Sequence, residues 1–453
     1  MRRALDSLQP PLMMTFPSPS SWMIRHMGAE GLRLERKYAV LIREEQRLGR
    51  LVSYVGNKEV PLLRLYRYKE AFAFRLVEEL IARFGIGRPE DCVLDPFCGM
   101  GTTLLAAALR GIPAIGIDRL PVAVFIAQTL PLFFQIQPGE IRAAYGKLKR
   151  MLPRVPPAEI AEDVEIMKVA FPENTLQALR RWKAAIEALE PPLREIYRLL
   201  FFAILEPCSY TAKDGQFLRL RRSKKLASPD DALLAKVMEA EEDVLRIRAL
   251  RWELREPSLW TAILGDTRNL HSISFPCAPT ALITSPPYAN RYDYTRTYSL
   301  ELCFHFVRDF SELRALRHSL LRSHIEARLD PSEKAPHPAV QETVDFLKEQ
   351  KASLNNPRIP EMLTAYFVDM RKAIQEWGRV LVPGARAAIV VDNVRFAGRL
   401  LPVDLILCEM SEEEGFQVEE ILVARYKGNS SQQMGRYGRI PVRESILIWR
   451  KRP

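Results

Sequence analysis

Residues 93–118 leave this chain few ways to fold. VLDPF (93–97) reads as a buried strand, TTLLAAALRG (102–111) as a helix closed by Gly111, and AIGID (114–118) as a second strand. Strand, glycine turn, helix and strand in succession make a βαβ unit, whose crossover requires a parallel sheet. The strand pattern resumes at 261–266, 280–288, 387–394, 418–426 and 444–451, predicting a mixed, mostly parallel seven-stranded sheet of the α/β class. Helical spacing marks 64–84, the region around 121–130, 362–380 and 402–414.

Residues 138–257 are mostly helical, charged and broken by prolines, and read as an insertion beside the sheet. It separates an N-terminal part (29–137) from a C-terminal part (258–453), and within the latter 290–360 is helical and basic. Residues 1–28, rich in Pro, Ser and Met, read as a disordered leader, and no apolar run reaches membrane-spanning length. The six cysteines include no CxxC pair, which argues against a disulfide framework or a metal site and suits a reducing cytoplasm. His318 and His324 read as ordinary surface residues.

The turn Asp95-Pro96-Phe97-Cys98-Gly99-Met100-Gly101-Thr102-Thr103 lies where a strand enters a helix. Gly99 and Gly101 allow a sharp bend and leave room for a ligand against the main chain. Asp118 ends the next strand, where an acid can accept hydrogen bonds from ribose hydroxyls. A nicotinamide dinucleotide fits poorly: GxGxxG is absent, and Asp95 stands where a pyrophosphate would be repelled. A carboxylate there suits a ligand with a cationic amino group, which S-adenosylmethionine supplies.

Thr284-Ser285-Pro286-Pro287-Tyr288 follows another strand. Its two prolines offer no N–H and fix φ, holding the carbonyls outward as acceptors, and the aromatic ring after them can stack on a base. An amino nitrogen conjugated to a base ring is a poor nucleophile because its lone pair is delocalised. Hydrogen bonds from its N–H groups to Ser285 Oγ and the Pro286 carbonyl would favour a pyramidal nitrogen, ready for direct in-line attack.

Together, DPFCGMGTT and TSPPY resemble the amino-methyltransferases of DNA, the cytosine-N4 and adenine-N6 enzymes of restriction–modification systems. The resemblance covers most of the chain outside the leader and the insertion, and it implies a Rossmann-like methyltransferase fold with S-adenosylmethionine as cofactor. It implies cofactor contacts from Asp95, Pro96, Phe97, Gly99, Gly101, Thr102 and Asp118, with Asp266 near the cofactor's adenine ring. YRYKEAF (66–72) resembles the remaining cofactor motif, with Tyr68 and Phe72 as contacts, although Ala73 stands where the pattern has Ser. Ser285, Pro286, Pro287 and Tyr288 are the implied catalytic motif. GNSSQQM (428–434) resembles a late motif of the cytosine-N4 enzymes, closing over a flipped base, and with the serine of SPPY it leans to cytosine.

Double-stranded DNA is the implied partner, with a cognate restriction endonuclease in such systems. The net charge of +11 is compatible with a polyanion. The excess of arginine over lysine fits phosphate and guanine contacts, and a GC-rich genome would produce it equally. Two basic stretches, 213–225 with Arg221 and Arg222 and 290–360 with Arg296 and Arg322, are candidate DNA contacts or solvated faces. Three rival readings stand beside this one. Carbon-5 methylation needs a Pro-Cys nucleophile after the fourth strand, and neither Pro276-Cys277 nor Pro207-Cys208 is so placed. An RNA amino-methyltransferase shares related turns, but no appended RNA-binding module is recognisable. A catalytically dead nucleic-acid-binding subunit conflicts with the intact Asp95, Gly99, Ser285 and Tyr288.

Overall fold

The computed structural model describes residues 25–214, 217–256, 259–428, 435, 437–438 and 440–453. Its strands in chain order are β1 (Ile42–Glu44), β2 (Val93–Asp95), β3 (Ala114–Asp118), β4 (Thr211–Asp214), β5 (Phe217–Leu220), β6 (Trp260–Leu264), β7 (Ala281–Thr284), β8 (Arg386–Asp392), β9 (Val394–Phe396), β10 (Arg399–Leu401), β11 (Phe416–Lys427) and β12 (Val442–Lys451). Eight of them form one sheet in the order β1-β11-β12-β8-β7-β2-β3-β6. From β8 to β6 all neighbours are parallel, whereas β12 runs antiparallel to both β8 and β11. All seven expected strands are present. The eighth, β1, adds three residues parallel to β11 at the edge and is too short to show a period in the sequence.

Alternate residues of the central strands feed two cores, as a sheet covered on both faces requires. Val93, Ile283, Ala388 and Val390 pack on one side with helices Phe74–Phe84, Thr102–Ala108 and Pro121–Thr129. Leu94, Leu282, Ile389 and Val391 pack on the other with helices Ile359–Val380 and Val403–Glu413. The insertion contributes helices Glu140–Met151, Glu173–Glu187, Leu193–Leu205 and Pro229–Ala249 and the β4–β5 hairpin. Ser228 caps the longest of these through the Asp231 N–H, with Pro229 at its first turn. The insertion helices share the first core with the sheet.

Four expectations need correction. The helix expected over 64–84 starts only at Phe74. Buried Asn57 donates to the Phe72 carbonyl (2.9 Å) and accepts from the Phe74 N–H (2.7 Å), which holds the preceding chain out of helical form. Cys92 and Cys277 are joined in a disulfide across 185 residues of sequence, because Cys92 precedes β2 and Cys277 precedes its neighbour β7. His324 is buried, its Nε2 3.2 Å from the Arg317 carbonyl, rather than a surface residue. The expected leader is packed by its end: Leu400 N–H donates to the His26 carbonyl (2.8 Å), and Met27 is buried with Leu400 and Val442. Residues 1–24 lie outside the described residues, as does the GNSSQQM stretch apart from Gly428. Among the described residues, no single helix is long and apolar enough to cross a membrane.

Candidate active site

The cofactor turn leaves the carboxyl end of β2, and the catalytic turn leaves the same end of its neighbour β7. Open parallel sheets bind ligands outside the carboxyl ends of their strands. A cleft lies there, enclosing about 830 Å³ with the solvent at its mouth included, a size suited to a small-molecule ligand.

Gly99 and Gly101 have φ of +50° and +90°. A Cβ on Gly99 would sit 2.9 Å from the Tyr68 ring, and one on Gly101 3.1 Å from the Trp260 ring. Positive φ and close packing therefore both demand glycine at these two positions.

Asp95 is buried beneath the turn. Its Oδ1 accepts from the Phe97 N–H (3.1 Å) and Thr284 Oγ1 (2.6 Å), and its Oδ2 from Thr103 Oγ1 (2.6 Å). Asp118, ending β3, accepts from the Gly99 N–H (2.9 Å) and the Leu120 N–H (2.8 Å). Burial pushes both carboxyls up to about 6, against the hydrogen bonds that favour their ionised forms. Both carboxylates thus brace the turn, Asp95 through two hydroxyls and one N–H and Asp118 through backbone N–H groups.

Of the expected cofactor residues, Tyr68, Phe72, Asp95, Pro96, Phe97, Gly99, Thr102, Asp118 and Asp266 line the cleft. Gly101 instead begins helix Thr102–Ala108 behind it. Thr102 Oγ1 is buried and has no hydrogen-bond partner among the described residues, a need that a polar ligand would meet. Asp266 is clamped by Arg268, which donates to both of its oxygens and reaches Asp369 at 2.8 Å.

Of the four residues of the expected catalytic motif, Ser285 and Pro287 line this cleft, and Pro286 and Tyr288 are not among its lining residues. Ser285 Oγ donates to the Val390 carbonyl of β8 (3.1 Å). A carbonyl can only accept, so the hydroxyl proton is committed and the oxygen's lone pairs remain as acceptors. The Tyr288 hydroxyl donates to Glu444 Oε1 at 2.9 Å.

Sequence reasoning missed two groups of residues. Lys427 stands 5.2 Å over the Tyr288 ring, 3.0 Å from Asp392 and 3.2 Å from Glu444, and burial pushes the Asp392 carboxyl up to about 7. These three come from β8, β11 and β12, so no local pattern joins them. Glu70 lines the cleft and accepts hydrogen bonds from Tyr292 and Tyr298. It falls inside the YRYKEAF stretch, which was its available signal.

The proposed DNA contacts divide. Arg322 is no free surface cation: its guanidinium pairs with Glu333 (2.5 Å) and Asp369 (2.7 Å) and is largely buried. Arg296 is half-exposed and pairs with Glu326 at 2.7 Å. Arg221 and Arg222 are exposed just after the β4–β5 hairpin. Cys277 is consumed in the disulfide and Cys208 is buried in the insertion, so neither is placed as a carbon-5 nucleophile.

A mostly parallel sheet, an acid-bearing glycine turn and a proline-rich acceptor turn opening into one cleft define an S-adenosylmethionine-dependent methyltransferase. Residues 47–129 match the family described as DNA methylase. The chain is 33% identical to the Type II methyltransferase M.BsoBI of Geobacillus stearothermophilus, across 93% of this chain and 92% of that protein. It is 34% identical to the Type II methyltransferase M.AvaI of Nostoc sp., across 92% of each. A solved rRNA methyltransferase, aviRa from Streptomyces viridochromogenes, matches at 13% identity and a TM-score of 0.29 over 84% of this chain and 85% of that one, too distant to bear on substrate. The chain belongs to the DNA amino-methyltransferase family, and its methyl donor is S-adenosylmethionine.

Proposed function

We propose that the protein methylates the exocyclic N4 amino group of cytosine in double-stranded DNA. The observation carrying this reading is the Ser285 hydroxyl, whose proton is held by the Val390 carbonyl at 3.1 Å while its lone pairs serve the cleft. Asp118, Thr102 and the aromatic wall at Tyr68 would hold S-adenosylmethionine, and Asp95 would keep the turn in shape. When bound, the cofactor supplies a methyl group made electrophilic by its sulfonium.

Ser285 Oγ and the Pro286 carbonyl accept the two amino N–H groups of the target, localising the nitrogen lone pair and aiming it at the methyl. With S-adenosylmethionine held in the cleft, the nitrogen would take the methyl group by direct in-line displacement of the thioether, with no covalent enzyme intermediate. The proton lost from the amino group would pass to solvent. The target base is flipped out of the helix and packs against Tyr288. The serine of SPPY, where adenine enzymes commonly carry an aspartate, and the GNSSQQM stretch lean the choice of base to cytosine. Likeness to Type II methyltransferases supports a cytoplasmic role beside a cognate restriction endonuclease, with the basic segment around Arg221 and Arg222 on the DNA side.

Mass spectrometry of DNA digested after incubation with the protein and S-adenosylmethionine tests the assignment. N4-methylcytosine is expected. N6-methyladenine in its place would overturn the choice of base, and methylation of RNA alone would overturn the substrate.

A further inference from the structure

The β4–β5 hairpin belongs to the insertion, yet it packs against helix Tyr294–Thr297, which follows the catalytic turn. Lys213, on β4, is buried to 3% exposure opposite Glu301 at 1%, with Nζ 2.5 Å from Glu301 Oε1. Nζ also donates to the Tyr66 hydroxyl (2.7 Å), which in turn donates to Glu301 Oε1 (2.6 Å). The ammonium stands 4.6 Å over the Tyr66 ring and 4.5 Å over the Tyr298 ring. Tyr298 stacks on Tyr68 with centroids 5.1 Å apart and planes 14° from parallel. Tyr68 walls the cofactor cleft and presses against Gly99.

We propose that Lys213 is a positioning residue for the cofactor: through Glu301, Tyr66 and Tyr298 it sets the Tyr68 ring against the glycine turn. Cofactor affinity then depends on how the insertion hairpin is seated. An isolated ammonium is costly to bury, and this one lies behind the cleft wall rather than in its lining. What it does touch is the aromatic stack backing the cleft, where cation–π attraction fixes ring positions as well as charge. The inference rests on the reading of this cleft as the cofactor site.

The test is calorimetric S-adenosylmethionine binding by the full-length protein, with steady-state kinetics beside it. Lys213→Met should raise the cofactor Kd and KM about tenfold, within the range in which residues away from a ligand modulate its binding. Turnover number and DNA affinity should stay within about twofold. Lys213→Met strands a buried carboxylate and risks the fold, so K213M/E301Q is the deciding variant. Removing both charges should recover thermal stability while cofactor affinity stays weakened, which a merely structural ion pair would not do. A cofactor Kd within about twofold of the unmodified protein in K213M/E301Q would overturn the proposal. Unchanged affinity in Asp118→Ala would overturn the cleft assignment, and the inference with it.

Discussion

Thr284 donates its hydroxyl proton to Asp95 across 2.6 Å, so the last residue of the catalytic strand is tied to the first acid of the cofactor turn. Both groups are buried. The turns proposed to hold the cofactor and the target base are thereby locked in register by one charge-assisted hydrogen bond. Thr284→Val keeps the shape and removes the donor. It should cost about 2 kcal/mol of stability and weaken cofactor binding, read by thermal denaturation and calorimetry. An unchanged melting temperature would show that the bond is energetically idle.

Cofactor affinity should depend on pH through Asp95 and Asp118. Both carboxyls are raised by burial to about 6 in the folded protein. They therefore hold protons that the unfolded chain has released, so their contribution to the stability of the cofactor-free protein is full below about pH 4 and lost as pH rises through about 6. A cationic ligand prefers the ionised carboxylates, so affinity should climb between about pH 5 and pH 7 and then level. Asp118→Asn should flatten that climb. A flat profile in the unmodified protein would rule out both acids as its source.

Removing the acceptor at Ser285 should be felt in turnover. Ser285→Ala is expected to lower kcat by about a hundredfold or more while the cofactor Kd stays unchanged. A change confined to KM would mean that Ser285 binds substrate and transition state alike.

The arginines should separate into two kinds. Replacing Arg221 and Arg222 together by alanine should lower the log–log salt slope of DNA binding by about 2, one unit for each phosphate left unneutralised. Arg322→Ala should leave that slope alone and destabilise the protein by about 1–3 kcal/mol, because buried Asp369 loses one of its two guanidinium partners and keeps Arg268. Salt titrations by fluorescence anisotropy, with melts of each variant, distinguish the two.

Base extrusion costs a few kcal/mol, least for a base that is already unpaired. A duplex mismatched at the target should therefore bind more tightly than a paired one, and Tyr288→Ala should erase much of that gain. Equal affinities for both duplexes would count against flipping.

The central sheet was legible because each long strand carries an apolar run bounded by turn residues, and the cofactor turn because its glycines and acids are contiguous. What escaped depends on neighbours far away in sequence. β1 takes its partner from β11, and the disulfide joins cysteines brought together by the β2–β7 pairing. The Lys427–Asp392–Glu444 cluster forms only when β8, β11 and β12 lie side by side. Arg322 illustrates the opposite hazard. A basic run suggested a polyanion, yet the folded chain supplies its own acids to meet that guanidinium.

Trp182, Phe201 and Phe202 of the insertion lie in the same apolar interior as Val93, Leu104 and Ile126 of the sheet and its helices. A chimera exchanging residues 138–257 with those of a relative would cut through a continuous interior rather than along a solvent-exposed seam. Grafting a foreign insertion onto this scaffold therefore demands that the facing helix, Pro121–Thr129, travel with it. Within that shared wall, a change of side-chain volume on the insertion must be met by one on the facing helix.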